Sequence, residues 1–84
     1  MPQMRPDPPP PPPVRRLAFI LNGEPHEMAE GATVLDLVES LGRDPRSVAV
    51  ERNGELLPRA CYAQTRLAGG DRVEVVHFVQ GGIT

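Results

Sequence analysis

The segment GATVLDLVESLG, residues 31–42, has the apolar spacing of an amphipathic helix. Four apolar residues recur at the intervals that place side chains on one helical face: Val34, Leu37, Val38 and Leu41. Thr33 is a favourable N-cap with Asp36 three residues later, and Gly42 can end the helix. The segment therefore predicts one helix whose apolar face must pack against another element.

A hairpin is predicted before this helix. LAFIL, residues 17–21, and EPHEM, residues 24–28, have strand-like composition, and Asn22-Gly23 between them is a strong signal for a two-residue turn. Pro25 lacks a backbone donor, so the second strand is expected at a sheet edge.

Strands are also predicted after the helix. SVAVERNGELLPR, residues 47–59, indicates a third strand, an Asn53-Gly54 turn and a short fourth strand ending at Pro58. LAGGDRVEVVHFV, residues 67–79, indicates a turn followed by the last strand.

This order of elements predicts an α+β fold in which one main helix covers one face of a mixed four- to five-stranded sheet. If the first and last strands are central neighbours, the connections stay short and the crossover is right-handed. That arrangement is the ubiquitin-like β-grasp. We expect the β-grasp domain over residues 16–80 and a flexible tail over 81–84. Residues 1–15 are expected to be a disordered proline-rich arm, because Pro8 to Pro13 favour polyproline II.

Composition narrows the classes of function. The chain has 84 residues and a net charge of −2, too small for a deep enzyme cleft and without the basic field that binds nucleic acid. Without a long apolar run or a signal-peptide pattern, we expect a cytoplasmic protein with no membrane partner. The single cysteine, Cys61, suits a reducing compartment and a structural role. His26 and His77 lack neighbours at catalytic or metal-ligand spacing, so both are interpreted as structural.

Three segments together resemble the ThiS-type sulfur carrier proteins of thiamine biosynthesis: LNGEPHEMAEGATVLDLVESLG, VAVERNGELLPR and LAGGDRVEVVHFVQGG. The resemblance extends from about Leu17 to Gly82. It implies that Gly82 is adenylated and then converted to a thiocarboxylate, while Gly81 provides reach. Glycine suits this position because its backbone passes where a Cβ would clash.

The resemblance also implies the partners. They are a ThiF-type adenylating enzyme, a sulfur donor fed by a cysteine desulfurase, and a thiazole synthase of the ThiG type as acceptor. The carrier itself would be a co-substrate, not an enzyme, with no cofactor of its own, because ATP and magnesium belong to the activating enzyme.

Ile83 and Thr84 fall outside the resemblance. They leave the Gly82 carbonyl in an amide bond, so either a protease removes them before activation, which we expect, or the chain as written is inactive.

A docking surface is predicted from alternation in the last strand. One set of residues should face the helix: Val73, Val75, His77 and Val79. Val76 and Phe78 should lie on the opposite face, beside Arg72 and Glu74, and form an apolar patch for the partner.

Other functions remain open on sequence alone. The same tail would serve a carrier for molybdopterin or another sulfur pathway, or a ubiquitin-like modifier that is conjugated to lysines. The chain could also be an interaction domain that works through its proline-rich arm.

Overall fold

The computed structural model describes residues 4–11 and 15–78. Residues 4–11 are exposed and form no helix or strand. The remainder contains five strands, one α-helix and two short 3-10 helices. In chain order these are β1 (Arg16–Leu21), β2 (Glu24–Ala29), α1 (Val34–Ser40), the 3-10 helix Pro45–Ser47, β3 (Val48–Arg52), β4 (Glu55–Leu57), the 3-10 helix Arg59–Cys61 and β5 (Arg72–His77).

The strands form one mixed sheet in the order β2-β1-β5-β3-β4. β1 and β5 are parallel neighbours, whereas the other pairs are antiparallel. The predicted β-grasp fold is confirmed, and β2, which carries Pro25, lies at an edge as expected.

Both predicted hairpin turns are present. Asn22 and Gly23 have φ values of 50° and 82°, and Asn53 and Gly54 have 53° and 85°. Two consecutive positive φ values are typical of the type I′ turn, whose twist matches that of the paired strands. The Asn-Gly sequence is favoured there because asparagine and glycine tolerate this conformation better than other residues.

Helix α1 begins at the predicted cap. The Thr33 hydroxyl accepts from the Asp36 N–H, and the Asp36 carboxylate accepts from the Thr33 N–H, which completes a capping box. The expectation for Leu41 is wrong in one respect. The helix ends at Ser40, so Leu41 is the C-cap and is 36% exposed, and does not extend the buried stripe.

The core lies between the helix and one face of the sheet. Its largest fully buried side chains come from three strands and the helix: Phe19, Val34, Leu37, Val38, Val50 and Val73. Burial of such side chains contributes about 1.5–3 kcal/mol each and is the main stabilising term of a domain of this size.

Between β4 and β5, the segment of residues 60–66 carries no predicted helix, strand or turn. It packs over the start of the helix, where the Thr65 carbonyl accepts from Val34 N–H and the Tyr62 carbonyl accepts from Leu35 N–H. The buried Tyr62 hydroxyl also donates to the Val48 carbonyl over 3.3 Å. These bonds satisfy helix donors that have no partner within the helix, and they attach this segment to the sheet.

Candidate functional site

The predicted reactive residue follows the last strand. Gly81 and Gly82, together with Ile83 and Thr84, lie outside the residues that the structure describes. The site can therefore be built along β5 as far as Phe78.

Strand β5 is anchored at its first residues by a buried carboxylate. Asp71 is 6% exposed and accepts from the Ala68 N–H at 2.8 Å, from Asn53 Nδ2 at 3.1 Å and from Arg52 Nε at 2.9 Å. Burial by itself raises the pKa of Asp71, but these hydrogen bonds and the Arg52 charge outweigh it, so the pKa of Asp71 lies below its ordinary value. Asp71 thus joins the Asn53-Gly54 turn to the beginning of β5.

From sequence, Gly69-Gly70-Asp71 predicts only a turn before the strand. The local signal for this network is an aspartate directly before a buried strand. The partners of that aspartate, however, lie in β3 and in the turn that follows β3. Their proximity is a result of the sheet topology and could not be read from local sequence.

The middle of β5 is held on the β1 side by an asparagine side chain. The last backbone pair in the β1–β5 register is Leu21 with Val73, and the Asn22 N–H donates to the Val73 carbonyl. Beyond it, the Asn22 amide accepts from Val75 N–H at 2.8 Å and donates to the Val75 carbonyl at 3.3 Å. The side chain extends the ladder past the end of β1, a role that the Asn-Gly signal did not reveal.

On the opposite side, β5 pairs with β3 up to its last residue. His77 lies opposite Val48, and the Phe78 N–H donates to the Ser47 carbonyl at 3.0 Å. The strand that leads toward Gly82 is thus held from both sides.

The sheet face away from the helix carries exposed apolar side chains. Val76 is 55% exposed and Phe78 41% exposed, as alternation predicts. The strand register places Leu56, 70% exposed, on the same face, because Leu56 pairs with Glu51 and Glu51 pairs with Glu74. We call Leu56, Val76 and Phe78 the open-face patch. Leu56 was missed from sequence, because β4 is too short to show alternation.

Two acidic side chains lie next to this patch. Glu51 and Glu74 are directly opposite each other on adjacent strands and point to the same face. The ion pairs among the described residues join other partners: Arg16 with Glu27, Arg46 with Asp44, and Arg52 with Asp71. The open face therefore carries an apolar patch next to two glutamates, with Arg72 on the same face of β5.

The helix-side expectation for β5 holds for its first half. Val73 is buried and Val75 is partly buried, but His77 is exposed. The reason is that α1 ends at Ser40, so His77 extends past the helix. It lines a shallow groove of about 260 Å³ together with Leu21, Asn22, Leu41, Arg43 and Val75. Val79, the last member of the predicted set, lies outside the described residues.

The remaining candidate residues have structural surroundings. The ring of His26 contacts that of Phe19 edge to face, with centroids 5.3 Å apart. Cys61 is a free, partly buried thiol. In residues 4–11 and 15–78, no three His, Cys, Asp or Glu side chains are grouped so that they could hold a metal ion.

This geometry, a β-grasp sheet with its last strand leading to Gly81-Gly82, agrees with a comparison against protein families. The chain matches the ThiS family over residues 19–82, which is most of its length. It belongs to the ThiS family. The match ends at Gly82, so Ile83 and Thr84 lie beyond the matched segment.

Individual relatives agree with this family assignment. The chain is 40% identical over 50 residues to the sulfur carrier protein ThiS of Bacillus subtilis, covering 60% of this chain and 76% of the relative. A crystal structure of the thiamine biosynthesis protein ThiS from Geobacter metallireducens superposes with a TM-score of 0.67 and 35% identity, covering 79% of this chain and all of that one.

A longer relative is also similar. The chain is 42% identical over 66 residues to a thiazole synthase of Paramagnetospirillum magneticum. That match covers 79% of this chain but spans only a fifth of the length of the synthase. A ThiS-like segment therefore forms part of that larger protein.

Among the described residues, no helix combines the length and the apolar character needed to cross a membrane.

Proposed function

We propose that this protein is a sulfur carrier for formation of the thiazole of thiamine, with the sulfur held as a thiocarboxylate on Gly82. The observation that carries the proposal is the match to the ThiS family, which ends at the second glycine of Gly81-Gly82. The relative named sulfur carrier protein ThiS supports the same role.

The chemistry explains the need for activation. A carboxylate resists nucleophiles because it is anionic and has no good leaving group. In the first step a Gly82 carboxylate oxygen attacks the α-phosphate of ATP, which releases pyrophosphate and forms an acyl-adenylate. In the second step a sulfide equivalent attacks the acyl carbon, AMP departs with the electrons of the C–O bond, and the thiocarboxylate remains.

In this proposal the carrier is a co-substrate and not an enzyme. ATP and magnesium are bound by a ThiF-type adenylating enzyme, and a cysteine desulfurase feeds the sulfur donor. The proposal places these steps in the cytoplasm, where the adenylating enzyme has ATP.

The acceptor is proposed to be a thiazole synthase. Support comes from the Paramagnetospirillum magneticum thiazole synthase, which contains a segment similar to this chain. A carrier segment and a synthase in one protein indicate that the two act in sequence on the same sulfur.

Docking to the adenylating enzyme is proposed to use the open-face patch. Val76 and Phe78 lie only a few residues before Gly82, so a partner that covers them is within reach of the tail. Their exposure is typical of residues that become buried at an interface.

Gly82 reacts only as a free carboxylate. In the sequence its carbonyl is in the peptide bond to Ile83, which has no anionic oxygen to attack ATP. We therefore propose that a protease cleaves this bond first.

Two chains test the proposal, one ending at Gly82 and one retaining Ile83 and Thr84. Each is incubated with the adenylating enzyme, ATP and a sulfur source, and its intact mass is measured. Only the shorter chain is expected to exchange one oxygen for sulfur. Thiocarboxylation of the longer chain with both residues retained would refute the assignment of the reactive carbonyl to Gly82.

A genetic experiment tests the pathway. Deletion of the gene should cause thiamine auxotrophy that added thiazole relieves. Normal growth without thiamine, together with loss of molybdopterin-dependent activity, would assign the carrier to the other pathway.

A further inference from the structure

Strand β5 extends past the end of β1, its parallel neighbour. β1 ends at Leu21, opposite Val73, whereas β5 continues to His77. Because β1 turns away at Asn22, no β1 backbone group is paired with Val75. The Asn22 side chain takes that place with one donor and one acceptor, at 3.3 Å and 2.8 Å.

An amide side chain is well suited to this position. Asparagine presents a carbonyl and an N–H₂ in one plane, so it can replace the paired C=O and N–H of a peptide unit. Asn22 also has a φ of 50°, which asparagine tolerates better than most residues. The same residue thus forms the turn and extends the ladder.

The result is an asymmetric attachment of the end of β5. On the β3 side the pairing continues through His77, and the Ser47 carbonyl accepts from the Phe78 N–H. On the β1 side the Asn22 amide is the last hydrogen-bonding group that contacts β5 within the described residues. Without it, the end of the strand would be held along one edge only.

We propose that Asn22 is a positioning residue for the carrier reaction, which acts through Val75 to set the direction in which β5 presents Gly82 to the adenylating enzyme. This inference rests on the proposed function. The four residues that follow Phe78, the last of which is Gly82, span at most about 14 Å. Because this span is short, a change in strand direction at Val75 shifts the region that Gly82 can reach, and misplacement of a reacting group by about 1 Å can lower a rate by about 100-fold.

Asn53 provides a matched control. It occupies the same position in an equivalent Asn-Gly turn, with a φ of 53°. Its side chain also bonds to β5, but at the beginning of the strand, through Arg72 N–H and the Asp71 carboxylate. Asn22→Gly and Asn53→Gly therefore remove similar interactions at two points of the same strand, its middle and its beginning.

The first experiment needs no partner. Amide hydrogen exchange and ¹⁵N relaxation are measured on the chain ending at Gly82. In Asn22→Gly we expect at least about tenfold faster exchange at Val75, and lower order parameters at Val76, His77 and Phe78. Asn53→Gly should leave these signals unchanged at temperatures where it is folded.

The second experiment is kinetic. With purified adenylating enzyme, kcat of ATP–pyrophosphate exchange should fall about 10- to 100-fold in Asn22→Gly, while KM changes by less than about threefold. KM is spared because Val76 and Phe78 keep their β3-side attachment. Asn53→Gly should keep the kcat of the parent chain. Asn22→Asp, which retains an acceptor for Val75 N–H, should give an intermediate kcat, and it replaces Asn22→Gly if the glycine variant does not fold.

Parent-like kcat and order parameters in Asn22→Gly would overturn the inference, as would an equal loss of kcat in Asn53→Gly. If the parent chain ending at Gly82 is not adenylated at all, the proposed function fails and the role of Asn22 in it fails as well. The exchange data distinguish the two cases, because they report the support of β5 without any partner.

Discussion

Arg52 Nε donates to Oδ2 of Asp71 over 2.9 Å, and the Asp71 side chain is almost completely buried. Each of the two oxygens of Asp71 is used, since Asn53 Nδ2 bonds to Oδ1 and the Ala68 N–H bonds to Oδ2. The carboxylate thus connects β3, the turn after β3 and the loop before β5. It stabilises the contact that places the last strand in the middle of the sheet.

Replacing Asp71 by Ala should lower the free energy of unfolding by about 2–3 kcal/mol, because three donors lose a charged acceptor in a largely buried site. Urea unfolding followed by circular dichroism measures the change. Glu24→Ala is the control, since Glu24 is exposed on the edge strand β2, and its midpoint should stay near that of the parent chain. Equal midpoints for both variants would show that the Asp71 network contributes little.

The same carboxylate should make stability depend on pH. The folded-state pKa of Asp71 is lowered below the unfolded value of about 3.9, so its contribution is present above that value and is lost as pH falls through the lower, folded pKa. Urea midpoints measured from pH 6 to pH 2 should therefore fall more steeply in the parent chain than in Asp71→Asn. Parallel curves for the two proteins would contradict the lowered pKa.

Local sequence predicts those parts of the fold that are encoded by neighbouring residues. The two Asn-Gly turns, the Thr33–Asp36 capping box and the edge strand with Pro25 were all readable, because each depends on backbone preferences within a few positions. The alternation of β5 likewise predicted that Val76 and Phe78 are exposed.

The features that sequence did not reveal come from contacts across the sheet. The bond of Asn22 to Val75 joins residues 53 positions apart, and Asp71 meets Arg52 only because β3 and β5 are neighbours. Leu41 was placed on the apolar face of the helix and His77 on the helix-facing side of β5, but the helix ends at Ser40, directly before Leu41. Periodicity gives the face of a residue, whereas its burial also depends on how far the opposite element extends.

The acidic pair on the open face should reduce stability. Like charges at directly opposite positions are unfavourable, so Glu74→Lys, which places a cation opposite Glu51, should raise the unfolding free energy by about 0.2–1 kcal/mol. The gain should shrink in 0.5 M salt because of screening. Glu55→Lys is the control, and it should lower the unfolding free energy, because it places a second cation opposite Arg52. A gain in both variants would exclude the cross-strand explanation.

A substitution in the open-face patch should weaken binding of the adenylating enzyme while changing the free energy of unfolding little. Phe78→Ala is expected to weaken binding of the adenylating enzyme by about tenfold or more, with less than about 1 kcal/mol lost from the free energy of unfolding, because the ring is exposed. Phe19→Ala is the control. Phe19 is buried in the core, and its loss should lower the unfolding free energy by about 3–5 kcal/mol. Calorimetry and urea unfolding measure the two quantities. A core-like stability loss in Phe78→Ala would show that the faces are reversed.

Adding a side chain at Gly82 should slow the carrier reaction, whereas the stability of the fold should not change. In chains that end at residue 82, Gly82→Ala and Gly82→Val should keep the unfolding midpoint, because the described core extends only from Leu17 to Val75. Both variants should lower ATP–pyrophosphate exchange, valine by about tenfold or more, since a Cβ beside the reacting carbonyl must enter a channel used by glycine.

Gly69→Ala is the matched control for this series. A Cβ at Gly69 would meet only the Ala18 carbonyl oxygen, at an ordinary contact distance of 3.9 Å, so both stability and exchange should stay near those of the parent chain. If the Gly82→Val chain exchanged pyrophosphate as fast as the parent, the steric reason for a glycine at this position would be wrong. A loss of exchange in Gly69→Ala equal to that in Gly82→Val would instead attribute the effect to the domain and not to the reacting residue.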